Sequence, residues 1–188
     1  MNLLKITKSD LNENNEYVGS TDVQSFEGSI EIEEKLGWVR FSAGIKVTGY
    51  IYAKAGSGIE AGDGIEAGDG IEAGDGIKAG WGIKAGSGIE AGSGIKAGSG
   101  IEAGDGIKAG SGIEAGSGIE AGLQISCKLL LKIGFRIFAG TAVYKKEIKD
   151  EEKTITCGKL ESGKIEYGIL NEIGINEDGG RESIRKLI

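Results

Sequence analysis

Eleven consecutive copies of one six-residue unit run from Ile59 to Gly122 with no insertion: Ile, then Glu or Lys, Ala, Gly, a variable residue, Gly. Only the last copy departs, ending in Leu123 and Gln124. In each unit Ile and Ala point to one side and the charged residue to the other, so the triplet reads as a three-residue strand with one apolar face. The Gly-X-Gly that follows reads as a bend, in which glycine adopts positive φ without steric cost. A strand and a bend every six residues predict an all-β parallel β-solenoid. Its coils stack at about 4.8 Å and its identical residues form ladders.

Two closures fit the period. Two units per coil give a flat, two-sided solenoid of twelve residues per turn, and three give a triangular prism of eighteen. A three-sided coil wants a small residue two positions before the inward aliphatic, and here that position holds Ser, Asp and once Trp81. We therefore prefer the two-sided form, with Ile of one sheet packed over Ala of the other. Charge pairing leans the other way, because opposite charges on neighbouring strands stabilise. Glu and Lys are opposite in four of nine pairs twelve residues apart, but in five of eight pairs eighteen apart.

Around the perfect copies the frame loosens. Phe41-Ser42-Ala43-Gly44-Ile45-Lys46 matches the unit with Phe for Ile, and Val47 to Gly58 leads into the exact repeats. Downstream, Ile125-Ser126-Cys127, Leu131-Lys132-Ile133 and Ile137-Phe138-Ala139 keep the spacing. Residues 1–28 read as an irregular capping segment, 29–148 as the solenoid with its flanking coils, and 149–188 as a C-terminal β-hairpin and tail. Strands are expected at 29–32 and 38–41. The hairpin pairs Thr154–Cys157 with Lys164–Ile169 through Gly158 and Ser162-Gly163. One or two helical turns are expected within 182–188.

Thirty-six glycines without a proline would suggest disorder, but their strict register makes the bias architectural. Collagen has a period of three and needs proline. The chain has no histidine, which rules out a Ser-His-Asp or Cys-His site and any histidine-ligated metal. Cys127 and Cys157 have no zinc-ligand spacing and read as reduced, partly buried thiols. No signal peptide or membrane-spanning apolar run is evident, so the reading is a cytoplasmic chain with no membrane contact. Between Ile59 and Gly122, four Lys against eleven acids give −7, the whole of the chain's net charge.

The repeat, for example Gly64-Ile65-Glu66-Ala67-Gly68, resembles small bacterial and phage-type proteins built from Gly-Ile-(Glu/Lys)-Ala-Gly hexads. The resemblance spans roughly residues 29–170. It implies a β-solenoid and, since that group's function is unsettled, little chemistry. A more distant similarity links the chain to hexapeptide-repeat acyltransferases. Those enzymes rely on a histidine that is missing here.

The irregularities of the repeat carry the functional reading. Glu60, Asp63, Glu66, Asp69, Glu72 and Asp75 are six acids in three units, with no base until Lys78. On a rod they read as a negative strip suited to the basic groove of a nucleic-acid-binding protein. Trp81 is the sole aromatic in the variable column of the perfect copies and reads as an outward anchor for a partner. Asp63, Asp69, Asp75 and Asp105 sit in Gly-Asp-Gly and carry the oxygens calcium takes, but Asp-Gly is also an ordinary turn choice. The expectation is a non-catalytic binding protein without metal or cofactor. It engages a protein partner, such as a nuclease complex, rather than nucleic acid itself; a phage-encoded inhibitor of a bacterial CRISPR-type nuclease fits this description. The alternative is a structural rod or a self-association module, the latter making the protein a homo-oligomer.

Overall fold

The computed structural model describes residues 2–175, and the helical turns expected within 182–188 lie outside them. The chain winds into a parallel β-solenoid of about eight turns with repeats about 18 residues apart. Every strand of the regular region pairs with the strand eighteen residues away, Ile83 beside both Ile65 and Ile101, and Ile95 beside Ile77 and Ile113. Ladders of identical residues form as expected, Ile on Ile and Ala on Ala.

The coil is therefore the three-sided one, and the preferred twelve-residue closure is incorrect. The reason lies at the corners. The variable residue points outward, with Asp63, Asp69 and Trp81 exposed, so it makes no demand on the interior. In the perfect copies the core is filled by Ile and Ala alone: Ile89 is 1% exposed and Ala91 2%.

Three faces result. The first has nine strands: Asn2–Ile6, Gly28–Ile32, Ile51–Ala53, Ile71–Ala73, Ile89–Ala91, Ile107–Ala109, Ile125–Cys127, Thr154–Cys157 and Ile169–Glu172. The second runs Gly37–Phe41, Ser57–Ala61, Ile77–Ala79, Ile95–Ala97 and Ile113–Ala115. The third runs Ile45–Val47, Ile65–Ala67, Ile83–Ala85, Ile101–Ala103 and Ile119–Ala121. Two long strands, Leu130–Ala139 and Lys159–Tyr167, turn the corner between the second and third faces and close both.

Contrary to the expectation from sequence, the repeat glycines do not adopt positive φ. Among the described residues positive-φ glycines occur only outside the perfect copies, at Gly37, Gly56, Gly140, Gly163, Gly168 and Gly174. The glycine after each Ala is required by stacking instead. A Cβ on Gly98 would lie 2.0 Å from the carbonyl oxygen of Gly80, and one on Gly110 would lie 1.8 Å from that of Gly92.

Both ends continue the winding. Residues 2–27 make an irregular first coil, because Asn2–Ile6 pairs in parallel with Gly28–Ile32 while Glu16 and Phe26 bridge to Arg40 and Val47. The upstream frame differs from the one read in sequence. Val39, not Phe41, aligns with Ile59, and Ile51 aligns with Ile71. Two extra residues are taken up at the corner 54–58, where Gly56 has φ +75° and buried Ser57 Oγ donates to the carbonyl of Glu33. The C-terminal segment is no hairpin. Thr154–Cys157 pairs in parallel with Ile125–Cys127, and Ile169–Glu172 in parallel with Thr154–Cys157. Gly158 and Gly163 sit within further winding, not at a reversal. Residues 140–153 form a corner excursion that places Val143 in solvent at 99% exposure.

Cys127 and Cys157 face inward on successive strands of the first face, both free and buried. Burial pushes the Cys127 thiol up to about 11 and the Cys157 thiol up to about 12. Both are then protonated at neutral pH, and thiolate is the reactive form. At pH 8 an aromatic disulfide reagent should modify the native protein about 100-fold more slowly than the urea-unfolded chain. Equal rates would contradict the burial.

Candidate functional site

Each face presents its Glu and Lys outward in a column, and the eighteen-residue spacing brings opposite charges together. Glu60 lies between Arg40 (3.1 Å) and Lys78 (2.5 Å). Lys46 meets Glu66 at 3.0 Å, Lys84 meets Glu102 at 2.7 Å, Lys96 meets Glu114 at 3.0 Å and Lys108 meets Glu90 at 2.5 Å. The hydrogen bond from Lys78, aided by Arg40, holds the Glu60 carboxyl below the usual carboxylate range. Glu102 and Glu90 likewise raise Lys84 and Lys108, so each stays charged. These are exposed pairs, each contributing about 1 kcal/mol or less. Their larger effect is on what remains.

All four lysines of the perfect copies are paired within the solenoid. Among the described residues no ion-pair partner reaches Asp63, Asp69, Glu72, Asp75 or Glu120. The uncompensated charge of the repeat is thus all negative.

The six acids expected to share one face do not. Glu60 is on the second face, Asp63 at the corner after it, Glu66 on the third face, Asp69 at the next corner, Glu72 on the first face and Asp75 at the last corner. They circle one coil as a girdle, and Glu60 and Glu66 are neutralised by their neighbours. The Gly-Asp-Gly carboxylates are likewise dispersed. Among the described residues no three His, Cys, Asp or Glu side chains converge to hold a metal ion. No helix of the described residues is long and apolar enough to cross a membrane.

Trp81 does project outward, at 67% exposure. It sits on the edge between the second and third faces, directly over Asp63, whose carbonyl accepts its N–H at 3.2 Å. The same column continues through Ser99 and Ser117 to Phe135, by N–H to carbonyl bonds of 3.0, 3.1 and 2.8 Å. Phe135 is 68% exposed. One edge therefore carries two bare rings three coils apart, about 14 Å. Phe135 escaped sequence reasoning because it lies beyond the perfect copies. Counting eighteen-residue steps from Trp81 reaches it.

The glycine before each Ile also went unread as a functional element. It leaves a shallow lengthwise groove on each face, walled by the charged columns. On the third face the groove has a volume of about 670 Å³, with walls that include Lys46, Asp63, Lys84, Glu120 and Arg136 and a floor of Gly64, Gly82, Gly100 and Gly118.

No family model matches the chain, no curated protein matches it and no solved structure matches it.

Proposed function

We propose that the protein is a non-catalytic binding rod that engages a protein partner bearing a basic, nucleic-acid-binding surface. The observation that carries this reading is the edge between the second and third faces. Trp81 and Phe135 are each two-thirds exposed there, and the nearby Asp63 has no cationic partner among the described residues. Exposed aromatic anchors are features that dominate protein interfaces, and uncompensated acids steer a basic partner towards them. The acids act here as a local edge and girdle rather than as a strip along the rod. An inhibitor that occupies the nucleic-acid site of a phage-defence nuclease is one member of this class.

The test is affinity capture from host lysate followed by elution with duplex DNA. A captured protein should be released by DNA, and its affinity should fall about tenfold or more between ~50 and ~200 mM salt. Asp63→Asn with Trp81→Ala should abolish capture, whereas Glu60→Gln, whose charge is already paired, should retain it. Capture that survives the first variant, or resists both DNA and salt, overturns the proposal.

The second reading, a structural rod or self-association module, draws on the last described coil, where Tyr167, Ile169 and Leu170 are 46%, 40% and 39% exposed. Concentration-dependent oligomers in sedimentation, unchanged by Asp63→Asn with Trp81→Ala, would favour it.

A further inference from the structure

We infer that the third-face groove is the receptor for one aromatic side chain of the partner, carried on an extended segment with a basic residue on either side. This rests on the partner-binding reading above and specifies which partner chemistry the rod selects.

The first argument is a built-in precedent. On the second face the corresponding groove has an occupant from this chain. Trp38 aligns with Gly58, and its indole lies along the groove across two coils. A Cβ on Gly58 would stand 3.1 Å from its Cε3, and one on Gly76 2.7 Å from its Cη2. The ring thus covers the glycine floor where Ile and peptide planes offer a flat apolar surface. On the third face the equivalent starting position is Gly44, so the floor there is bare.

The second argument is charge. On the second face Arg40, Glu60, Lys78, Lys96 and Glu114 are all engaged, and Lys132 meets Glu161 at 3.7 Å. Trp38 covers Gly58 and Gly76 of that groove, Gly94 and Gly112 stay open beyond it, and its walls carry four cations against three acids, each acid already paired. The third-face groove also carries Lys46, Lys84 and Arg136, held by Glu66, Glu102 and Glu166, which leaves Asp63 towards one end and Glu120 towards the other without an ion-pair partner among the described residues. They are three coils apart along the rod axis, about 14 Å, on opposite sides of the glycine floor. An extended chain rises about 3.4 Å per residue, so positions i and i+4 span the same distance, and i, i+2 and i+4 face one way. A Lys-X-Trp-X-Lys segment therefore places its two cations at Asp63 and Glu120 and its ring over the glycines between them. The first face is less suited. Its groove is walled by Tyr50 and Tyr52, and Tyr50 turns back to bond Glu31 at 3.0 Å.

The probe is the blocked peptide Lys-Gly-Trp-Gly-Lys containing 5-fluorotryptophan, titrated with the full chain and followed by ¹⁹F NMR. One saturable site is expected. Gly82→Leu with Gly100→Leu fills the floor and should weaken binding about tenfold or more. Larger residues are compatible with this column, since the chain places Arg136 in it beyond Gly118 and Leu130 in the matching second-face column beyond Gly112. Asp63→Asn with Glu120→Gln should weaken binding and remove most of its salt dependence. Trp38→Ala bares two more glycines of the second-face groove, but with every acid there already paired the stoichiometry should stay at one. No saturable binding, unchanged affinity in the leucine variant, or a second equivalent site on removing Trp38 would each overturn the inference. DNA-reversible capture of a partner that persists in the leucine variant would leave the edge reading standing and sink the groove alone. Peptide binding without any DNA-reversible capture would do the reverse.

Discussion

Gly98→Ala should lower the unfolding free energy by about 4 kcal/mol or more, among the largest effects of any single methyl added to this protein. The added Cβ would stand 2.0 Å from the carbonyl oxygen of Gly80 and 3.0 Å from its carbon. That backbone cannot step aside, because Gly98 N–H is itself bonded to the Ala79 carbonyl at 3.1 Å and the coils are locked in register on three faces. Relief requires two coils to part. Gly100→Ala in the same unit meets only the Gly118 carbonyl at 3.3 Å, and should change stability by about 1 kcal/mol or less. The comparison separates two accounts of the same glycines. Gly98 does not adopt positive φ, so an account based only on chain entropy predicts a gain of ~0.4–1 kcal/mol at this position. Equilibrium urea unfolding of both variants decides between them; similar midpoints would remove the stacking argument.

Ile89→Ala should cost about 2–5 kcal/mol, as expected for emptying a fully buried aliphatic site. Ile89 is 1% exposed and stacks between Ile71 and Ile107. Coils above and below hold the backbone at fixed spacing, so the site cannot collapse and the loss should fall toward the upper half of that range. In a rod each coil touches only its neighbours, which makes the damage local. Hydrogen exchange should accelerate most in Ile71–Ala73 and Ile107–Ala109 and least at the ends of the rod. Uniform acceleration along all nine strands of the first face would show that the rod unfolds as one unit, contrary to this expectation. Ile89→Ala and Ile107→Ala share a ladder step and should not add.

The solenoid was legible because six residues encode both a strand and its bend, and Ile59 to Gly122 repeats them without interruption. Closure was misread through one assumption, that the variable residue faces the interior. Once Asp69 and Trp81 point out, the small-residue requirement no longer discriminates, and the pairing of Glu and Lys eighteen residues apart is the surviving signal. The ends were harder because corners absorb insertions. The two residues added at 54–58 displace Phe41 from the Ile ladder to the Ala ladder, and the excursion at 140–153 puts Val143 where periodicity expects a buried residue. Gly158 and Ser162-Gly163 look like hairpin turns locally, yet parallel pairing to a strand far back in the chain decides their role. The candidate site was legible in part. Trp81 is exposed as read, but six acids within sixteen residues of sequence become a girdle once a coil takes eighteen. The groove floors were invisible because the same glycines already had an explanation as bends.

The identity of the three faces has a consequence for chain length. Every unit supplies the same Ile and Ala inward, so the interior is indifferent to which face a given triplet occupies. Deleting one hexad therefore leaves each core ladder intact and turns everything downstream by a third of a revolution about the rod axis. Deleting three shortens the rod by one coil, about 4.8 Å, and restores the original facing. The protein behaves as an indexed shaft. The count of hexads between the irregular first coil and the excursion at 140–153 sets the dihedral angle between those two features, and mutational gain or loss of repeats can reset that angle in steps of 120° without touching the packing.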